Sequence, residues 1–375
     1  MTQTGVSLSP PRGMRDFYPE DMIPRRRLFD AWRAAAEHAG FEEYDACVVE
    51  TLDLLTRKAG EEIVEQIYAF KDKSGRDLAL RPEMTPTLAR MLAAREGGLS
   101  FPLKWWTIAQ CFRYERTTKG RKREHYQWNL DIVGSDDTAA EAEVVSAAVD
   151  ALGRMGVKQE AFAVHVSSRR LLSELLHSMG IGAEHHTATF LALDKRGKID
   201  DAAIEELLIK EGVDRAGAKR IFELLGLQSI DQVRERLGAD SEALPALDRF
   251  FTFAEAFGFR DALRFDLAVI RGLSYYTGIV FEAFDRNRKY RAIFGGGRYD
   301  NLLRDVGGSP QTGVGLGFGD VVLAELLADL GGGGTAAGRE AVRVGFMQPD
   351  QQLTAARVAA GMRRQGGVVD LALHP

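Results

Sequence analysis

The sequence predicts an α+β protein, an antiparallel sheet with helices packed on it, interrupted by a helical insert and followed by the start of a small α/β unit. Three observations predict this. Strand-like runs follow one another with hairpin-type connections over residues 104–134 and again over 263–319. Between them, from about Arg169 to Phe257, the chain changes to short amphipathic helices such as IDDAAIEELLIKEG, RAGAKRIFELLG and SIDQVRERLG, each closed by a glycine suited to a C-cap. After GGGGTAAG (Gly331–Gly338), a linker by composition, the runs VRVGFMQ, TAARVAAGMRRQG and VVDLAL read as the start of a β-α-β unit. The boundaries that follow are 1–168 and 258–330 for two parts of one core, 169–257 for the insert, 331–340 for the linker and 341–375 for an incomplete α/β domain.

Taken in order, SLSPPRGMRDFYPEDM is irregular, and a helix is expected over Pro24–Ala39, with Leu28 and Trp32 at helical spacing and Gly40 at its end. YDACVVE reads as a strand, 53–62 as helix and turn, and Gln66–Lys71 with Asp77–Leu80 as a hairpin turning at Lys73-Ser74-Gly75. RPEMTPTLARML opens a helix, with Thr85 as its N-cap ahead of Pro86. A hairpin over 104–134, a helix over Ala139–Met155 and a strand over Phe162–Val166 complete the first half. Strands are expected again at Leu263–Val269, Ile279–Ala283 and Tyr290–Ile293. GGGRYDNLL reads as a Gly-rich turn into a helix, and GVGLGFGDVVLAELLADL as strand into helix.

Composition narrows the function classes. The chain has 375 residues, 45% hydrophobic and 27% charged, with a formal net charge of −5, so any nucleic-acid contact needs a local basic patch. Its two cysteines, Cys47 and Cys111, form no disulfide framework and no metal-ligand pattern, which favours a reducing, cytoplasmic home and no zinc site. No apolar run is long enough to span a membrane.

The chemistry concentrates in four clusters. In the 104–134 hairpin, alternation puts Arg113 and Glu115, then Gln127, Asn129 and Asp131, on one face, and Phe112, Tyr114, Tyr126, Trp128, Leu130 and Ile132 on the other. Arg113 and Arg121 suit phosphate oxygens, Glu115 an exocyclic amine, and Gln127 with Asp131 an ammonium or ring N–H. A salt-bridged sheet face under helices explains the same residues equally well. The loop Lys119, Arg121, Lys122, Arg123 is basic, as many solvated surfaces are. In IRGLSYYTGIVFEA, Arg271 beside Gly272 allows close approach to a ligand. Tyr275 and Tyr276, placed in a strand, point to opposite faces, and core packing is the simpler account of both. FGGGRYDNLL could cradle a phosphate or simply make a tight turn. In RPEMT, Glu83 could bind an amine or stabilise a helix start. His165, His185 and His186 have no ligand partners at metal spacing.

Together, in this order, the clusters resemble the histidyl-tRNA synthetases, a family of class II aminoacyl-tRNA synthetases. PRGMRDFYP resembles the family's opening, CFRYERTTKGRKREHYQWNLD its motif 2, and IRGLSYYTGIVFEA and FGGGRYDNLL its two histidine-specific signatures. The resemblance implies a class II synthetase-like antiparallel sheet and an aminoacyl-tRNA ligase. Such an enzyme joins L-histidine and ATP into histidyl-adenylate, releases pyrophosphate and passes histidine to tRNA(His). It further implies that Glu83, Thr85 and Gln127 hold the α-amino group. Asp131, Tyr275 and Tyr276 meet the histidine side. Arg113 binds its carboxylate or the ATP α-phosphate. Glu115 takes the adenine amine, Arg121 the terminal phosphates, and Arg271 the charge at the α-phosphate. Lys119, Arg121, Lys122 and Arg123 are expected to reach tRNA. Mg²⁺ would bridge phosphates with no protein ligand identified, and a homodimer is implied.

Three departures modify these expectations. Cys47 stands where the family's first motif usually has a proline, in the region of its dimer interface. The motif 3 arginine that stacks on ATP falls near Val322, so another arginine, Arg298 or Arg304, is expected to substitute. The tail from Ala341 resembles only the start of an anticodon-binding domain, so the sequence is expected to be C-terminally truncated. Two rivals remain: a non-catalytic paralogue such as the regulatory subunit of ATP phosphoribosyltransferase, and an RNA- or partner-binding protein using the basic loop. Arg113, Glu115, Arg121 and Arg271 together argue for the enzyme over the first, and Glu83, Gln127 and Asp131 are unexplained by the second.

Overall fold

Trp32 shows how the first helix finds its place. In α1 (Met22–His38), Leu28, Ala31, Trp32, Ala35 and Ala36 recur at three- and four-residue spacing and are buried along one stripe. Trp32 stacks on Trp128 at 6.0 Å and leans on Phe318 at 5.4 Å. The helix stops ahead of Gly40, at φ +76°. The computed structural model describes residues 7–57, 61–118, 120–196, 199–238, 241–271, 275–331 and 341–374. It divides into two units, residues 1–332 and 333–375.

After α1 come β1 (Glu42–Glu43), β2 (Val49–Thr51), α2 (Leu52–Thr56), α3 (Glu61–Gln66), β3 (Tyr68–Lys71), β4 (Asp77–Leu80), α4 (Thr85–Arg95), β5 (Leu103–Phe112) and β6 (Glu124–Val133). Next are α5 (Ala139–Arg154) and β7 (Phe162–Ser168). The insert follows as α6 (Arg169–Ser178), α7 (His186–Leu193), α8 (Asp201–Lys210), α9 (Arg215–Leu225), α10 (Ile230–Leu237) and α11 (Leu244–Ala256). The core resumes with β8 (Leu263–Phe265), β9 (Ile279–Asp285), β10 (Phe294–Tyr299), α12 (Leu302–Asp305), β11 (Gly313–Gly319) and α13 (Asp320–Asp329). Ser168, Asp200, Asp214 and Ser229 cap α6, α8, α9 and α10 by accepting a backbone N–H three residues on, which is why the insert breaks into short helices where it does.

The main sheet runs β1-β5-β6-β11-β10-β9-β7-β8. Only the edge pairs β1–β5 and β7–β8 are parallel; the rest are antiparallel, so the sheet is mixed at its edges. Pairing register assigns its faces. Trp106, Trp128, Leu130, Ile132, Val314, Leu316, Phe318 and Phe281 form one face, buried with α1 and α5 in the principal core. The opposite face carries the polar residues of β6. A separate small sheet, β2-β4-β3, leaves Val49 and Phe70 exposed.

Several expected elements shift. β5 ends at Phe112, so Arg113, Tyr114 and Glu115 lie beyond the ladder, where Glu115 N–H donates back to Arg113 O at 2.7 Å. YDACVVE contributes strand only from Val49, the strand expected to reach Val269 stops at Phe265, and 290–293 is not strand. Thr85 is the first residue of α4, not its cap; Met84 holds the cap position with no side-chain hydrogen bond. FGGGRY is itself β10 and not a turn. The second unit is β12 (Val342–Val344), α14 (Gln352–Arg364) and β13 (Val369–Leu371), its strands parallel, the β-α-β start read from the sequence. Among the described residues no helix is long and apolar enough to cross a membrane.

Candidate active site

The open face of the sheet is floored by glycine. On β11 the residues Gly313, Gly315, Gly317 and Gly319 pair with Val133, Asp131, Asn129 and Gln127 and share their face. On β10, Gly295 and Gly297 pair with Gly317 and Gly315 and face the same way, as does Tyr299. The apolar residues between them, Val314, Leu316 and Phe318, fill the core on the other side. The bare floor gives polar side chains room to lie flat. A Cβ at Gly315 would stand 2.0 Å from Asp131 Oδ1, one at Gly317 2.8 Å from Gln127 Nε2, and one at Gly295 1.5 Å from Arg271 Nη1.

Over this floor opens a cavity of about 970 Å³, lined among others by Arg113, Glu115, Arg121, Lys122, Gln127 and Arg271. Arg113 is anchored through Nε to Pro82 O at 2.9 Å. Arg121 Nε meets Glu115 Oε2 at 2.8 Å, so these two satisfy each other. The tip of the basic loop rests on α13: Gly120 N–H donates to Glu325 Oε1 at 2.9 Å, and a Cβ there would lie 3.5 Å from Val322. The loop base is clasped at Asp320, which accepts Tyr126 N–H and Arg15 Nη2, each at 2.9 Å, while Arg15 Nε reaches Glu124 at 2.6 Å. Arg15 belongs to the PRGMRDFYP stretch, which thereby ties the chain's start to motif 2.

Beside the cavity the remaining residues pack together. Tyr299 OH donates to Asp131 Oδ1 at 2.7 Å, and Tyr275 OH donates to Glu83 Oε2 at 3.1 Å. Tyr275 and Tyr276 are not in a strand, and both rings are buried 4.8 Å apart. The two rings therefore lie side by side, which the opposite-faces expectation did not allow. Thr85 is buried next to them. Arg271 sits at φ +58°, its guanidinium 3.8 Å from Glu282 and 5.6 Å from the Tyr276 ring centroid. Two buried atoms here have no partner, Asp131 Oδ2 and Arg271 Nε.

Burial sets the electrostatics. Loss of water pushes the Asp131 carboxyl up to about 7, against the pull of the Tyr299 hydrogen bond and with a further push from Glu83. Burial also raises Glu83, although Arg113, Tyr275 and Arg271 oppose it. Burial works against the charge on Arg271, but Tyr276 and Glu282 outweigh it and leave the guanidinium above its ordinary value. His125, on the cavity wall, is driven down to about 3 by burial and Arg113, so its imidazole is neutral.

Arg298 is not with the others. It lies on the helix face, where Nε donates to Glu141 Oε1 at 2.6 Å, Nη2 bonds Glu141 Oε2, and Nη1 donates to Thr312 Oγ1 at 2.6 Å and Ser135 O at 2.8 Å. A buried, fully bonded arginine beneath the sheet has no reach to a nucleotide above it. Arg304 is exposed on α12 and does not line the cavity. Arg123 covers the Tyr114 ring at 3.8 Å and bonds Glu115 O. Lys119 and Gly272 lie outside the described residues. Sequence reasoning missed the glycine floor, Tyr299, His125 and Glu282. Each was signalled by alternation: Tyr299 two beyond Gly297, His125 two before Gln127, Glu282 between Val280 and Phe284.

The family model described as Histidyl-tRNA synthetase matches residues 13–319. The chain is 43% identical over 372 residues to the histidine--tRNA ligase, chloroplastic/mitochondrial, of Arabidopsis thaliana, spanning 98% of this chain and 76% of that protein. In fold it is similar to an ATP phosphoribosyltransferase regulatory subunit/histidyl-tRNA synthetase from Bacillus halodurans, with a TM-score of 0.81, 23% identity and coverage of 98% of this chain and 93% of that one. It is also similar to a histidyl-tRNA synthetase from Nostoc sp. PCC 7120, with a TM-score of 0.79, 23% identity and coverage of 99% and 87%.

Proposed function

Because this chain belongs to the histidyl-tRNA synthetase family, and its reaction is that of a histidine--tRNA ligase, we propose how its residues carry the first half of that reaction. Histidine lies with its ring toward Asp131, Tyr275 and Tyr276 and its α-ammonium toward Glu83, Thr85 and Gln127. ATP fills the open cavity, its adenine amine at Glu115, its α-phosphate at Arg113 and Arg271, and its terminal phosphates at Arg121. The histidine carboxylate oxygen attacks the α-phosphorus, the new P–O bond forms as the bond to the bridging oxygen breaks, and pyrophosphate leaves. The reaction asks the protein for alignment and for positive charge where negative charge gathers, which arginines on a rigid sheet supply. The adenylate then passes histidine to the tRNA acceptor end, whose phosphates are met by Lys119, Arg121, Lys122 and Arg123.

The observation that carries this reading is the pair of partnerless buried atoms, Asp131 Oδ2 and Arg271 Nε, over one glycine floor. An open oxygen on Asp131 and an open N–H on Arg271, whose guanidinium otherwise meets Glu282, suit a ligand with a donor at one end and an anion at the other. Magnesium would enter as a companion of ATP: among the described residues no cluster of acidic, histidine or cysteine side chains could hold a metal ion, and Glu115 and Glu282 already meet arginines, so phosphate oxygens would supply most of its ligands. Exposed Val49 and Phe70 on the small sheet support a homodimer through that surface, and free thiols at Cys47 and Cys111 support a cytoplasmic setting.

Histidine-dependent ATP–pyrophosphate exchange tests the reading. Exchange specific for histidine is expected, falling by about 10²–10³-fold in Arg271→Ala with histidine affinity largely kept. Val322, where the family's arginine is missing, favours the binding-paralogue alternative. Histidine binding by calorimetry without exchange would leave a binding paralogue or a site crippled at motif 3, and Val322→Arg would then separate those two.

A further inference from the structure

A buried arginine outside the motifs holds the backbone of Arg271. Arg169 Nε donates to Ile270 O at 3.2 Å, and its Nη2 makes a short bond to Arg271 O. The backbone N–H of Arg169 donates to Gly278 O at 2.9 Å, so one residue ties both sides of the segment that carries Arg271, Tyr275 and Tyr276. Arg271 itself is in the left-handed region, at φ +58°, where a side chain persists only when its surroundings over-determine it. The carbonyls on and before that residue are what Arg169 grips. Its planar fork suits two carbonyls at once, a geometry an ammonium cannot reproduce.

Arg169 also stands at the junction with the insert. It is the first residue of α6, directly after the Ser168 cap, and its guanidinium lies 5.1 Å from the Phe190 ring centroid on α7. Burial lowers it to about 10, with Tyr276 and Asp194 resisting and Arg271 assisting, so it remains charged at neutral pH. Asp194, just past the end of α7, lines the cavity and acts electrostatically on both Arg169 and Arg271.

We propose that Arg169 is the positioning residue of Arg271, fixing its left-handed backbone through two carbonyl hydrogen bonds, and that the Phe190 ring makes this position depend on the helical insert. The proposal rests on the reading that Arg271 stabilises charge at the α-phosphate. Arg169 touches no substrate and acts only through Arg271.

A double-mutant cycle on the full chain tests it, read by histidine-dependent ATP–pyrophosphate exchange and accompanied by thermal unfolding of each variant. Arg169→Lys is expected to lower kcat by about 10–100-fold, with KM for histidine and ATP within about threefold, as for a catalytic group displaced by about an ångström. In the Arg271→Ala background the same change is expected to alter kcat by less than about twofold, since its target is gone. Phe190→Leu, which leaves both carbonyl bonds in place, is expected to lower kcat about threefold in the parent and not at all in that background. Additive losses, an unchanged kcat in Arg169→Lys, or a loss confined to KM would overturn the proposal. If Arg169→Lys does not fold, Phe190→Leu decides alone, and the same loss in both backgrounds, or none in the parent, overturns it. Arg271→Ala with undiminished kcat would instead overturn the reading beneath it.

Discussion

Asp131→Asn is expected to weaken histidine binding and at the same time to stabilise the ligand-free protein. The carboxyl titrates near 7 in the fold against an ordinary 3.8, because burial disfavours its charge and Glu83 repels it. A raised carboxyl binds its proton more tightly folded than unfolded. Its favourable contribution is therefore complete below pH 3.8 and is lost as pH rises through 7. The loss amounts to about 4 kcal/mol by pH 8, of which rather less than half is already gone at pH 5. The amide has the shape of the protonated acid and can keep the Tyr299 bond, so it escapes the penalty of ionisation; it buries one donor more than the acid does, a cost that does not change with pH. Urea unfolding of both proteins from pH 5 to 8 should show the variant's advantage growing by about 2–3 kcal/mol. Calorimetry should show histidine affinity reduced by about tenfold or more, the cost of one hydrogen bond to a charged group. A stability gap that stays flat with pH, or a variant less stable at pH 8, would refute the argument that Asp131 is held against its own ionisation.

Two further substitutions probe the floor and the face beneath it. Gly315→Ala places a methyl 2.0 Å from Asp131 Oδ1, and the carboxylate must leave its position, so histidine affinity is expected to fall by about tenfold or more; calorimetry giving a Kd within twofold of the parent would contradict this. Glu141→Ala leaves Arg298 buried without its counter-ion and is expected to cost about 3–5 kcal/mol in urea unfolding while the KM for ATP stays unchanged; a raised KM with intact stability would return Arg298 to the nucleotide site.

Legibility in the sequence followed the period of the signal. The 104–134 hairpin was readable because alternation separates Trp128, Leu130 and Ile132 from Gln127, Asn129 and Asp131, and the structure buries the first set in the core. The helical character of 169–257 was readable because α8, α9 and α10 are each followed by a glycine, Gly212, Gly226 and Gly238. FGGGRY was misread because glycine is taken as a turn former, while here it is selected in a strand for what lies above it. GVGLGFG, whose glycines repeat with the period of a strand, was read as a strand running into a helix, and it is β11 followed by α13. Arg298 was assigned by its type; its phase decides otherwise, since one residue from Gly297 is the opposite face. Arg169 could not be found at all from local pattern, because its partners are about a hundred residues away in the chain.

The hydrogen bonds of the ligand-free site separate what is already in place from what must exchange. Arg113, tied to a carbonyl, and Asp131, held by Tyr299, keep their positions through bonds that a ligand need not break. Arg121 and Glu115 hold each other, so a nucleotide that takes the carboxylate by its amine and the guanidinium by its phosphates must first open that pair. The arginine end of that bond is partly exposed, and water can take its place at small cost. On the proposed roles, the nucleotide end starts closed on itself at Arg121 and Glu115, while the amino-acid end is held by the buried Tyr299–Asp131 bond. On those same roles, discrimination among amino acids falls to rigid groups whose loss of a partner is costly, and the nucleotide is met by groups that exchange one partner for another.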